Sequence, residues 1–223
     1  MGSIIEQIRD MTIQGKNNRV VELVNQALAE NVGVHEILQD GLIAAMGIVG
    51  DQFNDHKIYV PEMLIAARAM QAGLKIVKPH LAGEEIKGLA TIVLGTVKGD
   101  MHDIGKNLVG MMLEGAGCVV IDLGVDVSVE QFIEAVRQYK PQFLCLSALL
   151  TTTMPGMGSM IHKLEDLGLR DTVKVLVGGA PVTQKFADEI GADGYADNAS
   201  SAVDQVKALL KVEYINVLDE INV

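Results

Sequence analysis

The chain is poor in aromatic residues: there is no tryptophan, and Phe and Tyr make up 4% of its 223 residues. Its core must therefore be built from Val, Ile, Leu, Ala and the 11 Met, and with 49% hydrophobic residues that core can be sizeable. Cysteine is almost missing as well. Cys118 and Cys145 both fall inside apolar runs that read as strands, with no CxxC and no Cys/His cluster of zinc spacing. They read as buried reduced thiols, which suits a cytoplasmic protein. Positive charge is in deficit, since 18 Lys and Arg face 29 Asp and Glu and leave a formal charge of -11. That balance repels a nucleic-acid backbone or an anionic membrane, so neither is an expected partner; a small ligand held by loops is still allowed. No apolar stretch reaches the roughly 20 residues that a bilayer requires. The opening residues, Met1 to Glu6, do not read as a signal peptide.

What is present divides into two patterns. Residues 3–79 read as helix throughout. Ile4, Ile5, Ile8 and Met11 keep helical spacing up to Gly15, and Val20, Leu23, Val24, Ala27 and Leu28 form a second stripe ending near Asn31 and Gly33. A third helix spans about 34–52. Pro61 suits the first turn of a fourth, which Pro79 stops. Four amphipathic helices with short connections make a small bundle. Between the last two, Phe53, Ile58, Tyr59 and Val60 gather around a helix–helix turn, where they either staple the bundle or form a hydrophobic lid over something docked beneath. Residues 81–90 lose the helical stripe and read as a linker.

From residue 91 onward, strands alternate with helices. Strands are expected at 91–97, 118–123, 143–147, 173–178 and around Gly194 and Tyr195. The helices between and after them start near Ile104, Ser128, Met157, Thr183 and Ser200. Ser128 and Thr183 are placed as N-caps. Five such strands imply a parallel sheet covered on both faces, which binds its ligands at the carboxyl ends of the strands. The Gly-rich and polar segments 98–105, 124–128, 147–156, 178–181 and 196–200 all follow strands, so all five open on one edge.

The first of these loops, Gly95-Thr96-Val97-Lys98-Gly99-Asp100-Met101-His102-Asp103-Ile104-Gly105-Lys106-Asn107, is the centre of the sequence. A histidine with a carboxylate two residues away reads either as a metal ligand with its partner or as a solvated pair on a polar loop. The loop is poor for phosphate, and GxGxxG is missing from it. The third loop carries Ser147, Thr151, Thr152 and Thr153, four hydroxyls in seven residues, and Gly178-Gly179-Ala180 has almost no side chains.

Taken together, Asp100-x-His102-x-x-Gly105, Ser147-x-Leu149 and Gly178-Gly179, in that order, resemble the cobalamin-binding domains in which a histidine displaces the cofactor's own base. Asp103 to Asn107 and the Gly191-Ala192-Asp193-x-Tyr195-Ala196 run extend the match, and Gly50-Asp51-x-Phe53 with Pro61-Glu62 resembles the helical cap of methionine synthase and of small corrinoid proteins. The likeness covers about 3–210 and is nearest to the small corrinoid methyl carriers of methanogens and acetogens. It implies an α/β protein: an N-terminal four-helix bundle cap over 1–80, the 81–90 linker, a Rossmann-like, flavodoxin-like five-stranded parallel-sheet domain for cobalamin over 91–211, and a tail at 212–223.

The same resemblance implies a cobalamin or related corrinoid, with His102 as the axial ligand of cobalt, Asp100 hydrogen-bonded to it and Thr153 completing the relay. It implies further cofactor contacts from Met101, Asp103, Ile104, Gly105, Ser147, Leu149, Thr151, Gly178, Gly179, Ala180, Tyr195 and Ala196. Phe53 and Val60 would cover the methyl face, with 81–90 as the hinge; Val60 stands where methionine synthase has Leu. The implied work is to carry a methyl group on cobalt between a substrate-specific methyltransferase and a corrinoid:acceptor methyltransferase, with a reductive activase as a further partner. A cobalamin-binding mutase subunit and a cobalamin-sensing regulator are the alternatives. The first needs a substrate barrel from a partner, and the second a DNA-binding domain that fits poorly with an acidic chain that starts on the bundle.

Overall fold

A computed structural model of the protein describes residues 2–81 and 89–221. Of the linker reading of 81–90, residues 82–88 lie outside the described residues, as do the last two residues of the tail. The chain divides into two compact units. One is Met1–Leu89 with Glu114–Cys118; the other is Ala90–Leu113 with Val119–Val223. The inclusion of 114–118 in the first unit has no counterpart in the hydropathy pattern.

The first unit is helical: α1 Ile4–Ile13, α2 Asn17–Ala29, α3 Val34–Glu36, α4 Ala44–Asn54 and α5 Val60–Val77. The sequence predicts one regular helix over 34–52. In the structure the Ile37–Ile43 stretch between α3 and α4 is wound wider, as a π-helix. The apolar stripes meet in a core that includes Ile8, Val20, Leu23, Ile37, Leu42, Met63 and Met70. Two glycines let the rods close. A Cβ on Gly73 would stand 2.8 Å from Leu42, and one on Gly41 would stand 3.1 Å from Ile8. Gly15, at φ 67, turns the chain out of α1 as its spacing predicts.

The second unit holds a parallel sheet with the order β2-β1-β3-β4-β5, made of β1 Thr91–Thr96, β2 Val119–Asp122, β3 Phe143–Ser147, β4 Lys174–Gly178 and β5 Gly194–Ala196. Cys145 lies in β3; Cys118 precedes β2 rather than joining it, and both are buried outside any disulfide. Five helices accompany the strands: α6 Ile104–Gly115, α7 Val129–Tyr139, α8 Pro155–Asp166, α9 Gln184–Glu189 and α10 Ala199–Ile221. Ser128 caps α7 in a reciprocal box with Gln131, and Thr183 accepts from the Phe186 N–H to cap α9.

Strand alternation sorts the core into two faces. Val93, Leu144, Leu146, Val175 and Val177 join Phe132, Val136, Met157, Met160 and Leu164 of α7 and α8 in one cluster. Gly95 belongs to that face because a Cβ there would meet the Phe132 ring at 2.7 Å. On the other face, Gly110 of α6 admits Leu94 at 3.1 Å, and Gly194 sits under Leu176 and Gln205 of α10. Met157 and Met160 thus belong to the core. Each fully buried aliphatic or aromatic side chain contributes about 1.5–3 kcal/mol.

Candidate functional site

Strand register sets the level of the site. Thr96 pairs with Ser147, Ser147 with Gly178, and Gly178 with Ala196. The four strand ends stand in one row, and the loops that follow them open on one edge. The sheet order reverses between β1 and β3, and the first loop leaves at that reversal. There the Thr96 N–H donates to the Gly124 carbonyl and the Val97 N–H to the Ser147 carbonyl, each at 3.0 Å. A crevice at such a switch point is where open α/β sheets bind ligands.

Beyond β1 the chain turns through Gly99, whose φ is 84, and the Asp100 N–H closes the turn on the Val97 carbonyl at 3.2 Å. Asp100 is fully buried. Its Oδ1 accepts from His102 Nδ1 at 2.7 Å and from the His102 N–H at 3.1 Å. Its Oδ2 accepts from the Leu149 N–H at 2.7 Å, the Leu150 N–H at 3.2 Å and Thr153 Oγ1 at 2.8 Å. Burial alone would push this carboxyl's pKa up. The Leu149 N–H, the His102 ring, the Thr153 hydroxyl and the His102 N–H together outweigh burial and hold it well below the usual carboxylate range. An ionised, acceptor-only Asp100 requires the His102 proton on Nδ1, so the lone pair is on Nε2. The His102 carbonyl in turn accepts from the buried Thr96 Oγ1 at 2.9 Å.

The histidine is half-exposed, and large apolar side chains around it are left in water. Met101 is 69% exposed, Ile104 80%, Leu149 41% and Leu150 41%. Gly105 is the second residue of α6, and a Cβ built there would meet nothing within 4 Å. Among the described residues no three His, Cys, Asp or Glu side chains come together to hold an ion. A single imidazole lone pair among exposed apolar groups therefore suits a metal that arrives within its own large, partly apolar macrocycle. The residues present fit a corrinoid.

The other residues singled out in the sequence divide by loop. Ser147 ends β3, Leu149, Thr151 and Thr153 lie on the β3–α8 connection, Gly178, Gly179 and Ala180 at the end of β4, and Tyr195 and Ala196 in β5, all on the one edge. Tyr195 is half-buried against the core. The two glycines have an immediate cause within the chain itself. A Cβ on Gly179, at φ 128, would stand 1.9 Å from the Ala148 carbonyl oxygen, and one on Gly178 would stand 2.8 Å from the Ala196 carbonyl oxygen. Asp103 faces solvent and accepts from Asn107 Nδ2 at 3.2 Å. Phe53, in the last turn of α4, and Val60, the first residue of α5, belong to the helical unit.

Sequence reasoning missed several groups that support the site from behind. The Leu150 N–H reaches Asp100 through the backbone, which no side-chain pattern reports. Lys106 is buried, its Nζ paired with Asp122 and donating to Asn107 Oδ1 at 2.7 Å, although a lysine in a first helical turn reads as solvated. Asp126, from the β2–α7 loop, accepts from the Gly99 N–H at 2.8 Å and from Lys98 Nζ at 3.0 Å. Leu150 and Asp126 sit on loops already assigned to this edge, and Lys106 lies in the Asp103 to Asn107 run at the start of α6.

Comparison with known proteins finds matches along most of the chain. A family model described as a B12 binding domain matches residues 90–204, and a second with the same description matches 4–78. Trimethylamine corrinoid protein 2 of Methanosarcina mazei is 42% identical over 211 residues, covering 94% of this chain and 97% of its own. Dimethylamine corrinoid protein 3 of Methanosarcina acetivorans is 45% identical over 207 residues, covering 93% and 97%. Among solved structures, the methanol:cobalamin methyltransferase complex MtaBC from Methanosarcina barkeri matches with a TM-score of 0.85 at 31% identity, over 93% of this chain and 80% of that one. A cobalamin-binding protein from Desulfitobacterium hafniense matches with a TM-score of 0.76 at 30% identity, over 92% and 97%.

Proposed function

This chain belongs to the B12-binding family of corrinoid proteins, and from that premise we propose that His102 would hold the cobalt of a bound corrinoid, oriented by Asp100 and Thr153. It is a methyl carrier that works with a methyltransferase. When bound, the corrinoid supplies the chemistry, a cobalt centre able to take and release a methyl group. The chain's own residues supply ligation, orientation and shelter. Asp100 keeps the imidazole in the tautomer with Nε2 free. The Leu149 N–H, the His102 ring, the Thr153 hydroxyl and the His102 N–H keep that carboxylate ionised, and the Leu150 N–H adds a further bond to Oδ2. Met101, Ile104, Leu149 and Leu150 offer apolar surface that a macrocycle would cover, at about 25 cal/mol for each Å² removed from water.

The observation that carries this reading is the 2.7 Å contact between His102 Nδ1 and a fully buried carboxylate. Ser147, Thr151, Gly178, Gly179, Ala180, Tyr195 and Ala196 are assigned to the remainder of the cofactor from their common edge. Phe53 and Val60 are assigned to covering the methyl face, supported by the family resemblance of the helical unit. The names of the relatives favour a methylated amine as the donor of the partner methyltransferase. An acceptor methyltransferase, a reductive activase and a cytoplasmic location complete the proposal. Among the described residues no helix is long and apolar enough to cross a membrane.

The test is the visible spectrum of the protein loaded with hydroxocobalamin. Wild type is expected to show a histidine-ligated spectrum, and His102→Ala to retain the corrinoid and lose that signature. A variant spectrum identical to wild type would remove His102 from the metal.

A further inference from the structure

The β2–α7 loop brings to the site a residue that stands outside the three-part motif. Asp126 has a left-handed backbone at φ 55, a conformation that costs a non-glycine residue energy and that Asp tolerates better than most. Three consecutive residues of the first loop are tied to it. Lys98 Nζ donates to Oδ2 at 3.0 Å and the Gly99 N–H to Oδ1 at 2.8 Å, while the Asp126 N–H donates to the Asp100 carbonyl at 3.0 Å. Its neighbour Val127 continues the hold, with its N–H on the Thr96 carbonyl at 2.9 Å. The turn that carries Asp100 and His102 is thus gripped from two sides. The β3–α8 loop holds the Asp100 side chain, and Asp126 holds the backbone beneath it. A glycine at 126 would accept the same φ without strain but would offer no acceptor to Gly99 or Lys98.

We propose that Asp126 is a positioning residue for His102: by holding the 98–100 turn it sets the direction of the Asp100–His102 pair, and so the strength with which the imidazole ligates cobalt. This rests on the reading of His102 as that ligand. A charge-assisted hydrogen bond lost from the turn corresponds to about a tenfold change in the equilibrium it supports.

The experiment uses the full chain as wild type, D126A, D126G, D126N and H102A, each loaded with hydroxocobalamin. The fraction with histidine on the metal is read from the visible spectrum, and folding from a thermal melt. D126A and D126G are expected to bind the corrinoid as wild type does and to shift the histidine-on equilibrium about tenfold toward off. D126N, which keeps an acceptor for the Gly99 N–H, is expected to recover most of the shift. A second readout needs no corrinoid: nitrogen NMR of the His102 ring is expected to show one dominant tautomer in wild type and a mixed population in D126G. Should D126A fail to fold, D126G, which suits the positive φ, carries the test. A histidine-dependent wild-type spectrum unchanged in D126G, with an unchanged tautomer, overturns the proposal for Asp126. A wild-type spectrum indifferent to H102A overturns the ligand reading instead, and the tautomer comparison then decides whether Asp126 positions the ring.

Discussion

The helical unit and the first loop of the sheet unit are held together by different physics. In the helical unit, Ile8, Val20, Leu23, Leu42, Met63 and Met70 interlock by shape, and glycines at 41 and 73 let the rods approach. Any apolar group of similar volume can substitute at modest cost. In the loop, one buried carboxylate is met by five hydrogen-bond donors, each with a direction and a length. Packing determines that a unit holds together, whereas directional bonds determine where one imidazole stands.

The largest test of that contrast is Asp100→Ala. It removes the shared acceptor of the Leu149, Leu150 and His102 N–H groups and leaves Thr153 Oγ1 only the Leu150 carbonyl at 2.9 Å, and should cost about 3–5 kcal/mol by chemical denaturation. The pH dependence has a definite sign. Because the folded carboxyl's pKa is depressed, its stabilisation is fully present above the unfolded value of about 3.9, and is lost as pH falls from there through the folded value. Asp100→Asn should flatten that acid limb; an acid limb as steep as in wild type would mean the carboxylate contributes nothing to stability.

Leu42→Ala tests the other region. Leu42 is fully buried, so the loss should be about 2–5 kcal/mol in the unfolding of the helical unit. Corrinoid-loaded spectra should stay as in wild type. A changed histidine-on fraction in this variant would break the division between packing and positioning.

Gly105→Ala should have the smallest effect on folding. Its Cβ meets nothing within 4 Å of the chain, and a helical Gly→Ala change raises stability by about 0.5–1 kcal/mol. Retention of hydroxocobalamin should nonetheless fall, because the open space beside Gly105 is assigned to the cofactor. Normal retention would place the corrinoid elsewhere on the edge.

Much of this was legible in sequence because it is local. Ser128 and Thr183 were placed as caps from hydrogen-bonding chemistry at helix starts, and both cap in the structure. The wide π turns at Ile37–Ile43 were not, since the apolar spacing over 34–52 reads as one regular helix. Nor was the continuation of α10 to Ile221, where the apolar pattern beyond residue 210 matched no motif and was read as a tail. Lys106 was missed for a related reason: a lysine is solvated by default, and its burial depends on Asp122, sixteen residues away.

Sequence alone determined the alternation of strand and helix, the placing of every polar loop after a strand and hence the single edge on which the site opens. These follow from hydrophobic period and turn chemistry, which are read within a few residues. Only the tertiary structure decided that the donors on Asp100 Oδ2 come from residues 49, 50 and 53 positions further along, and that Asp126 grips the turn from another loop. A hydrogen bond needs two groups within about 3 Å and aligned, and between distant residues that condition is met by the register of the strands, which no local pattern carries.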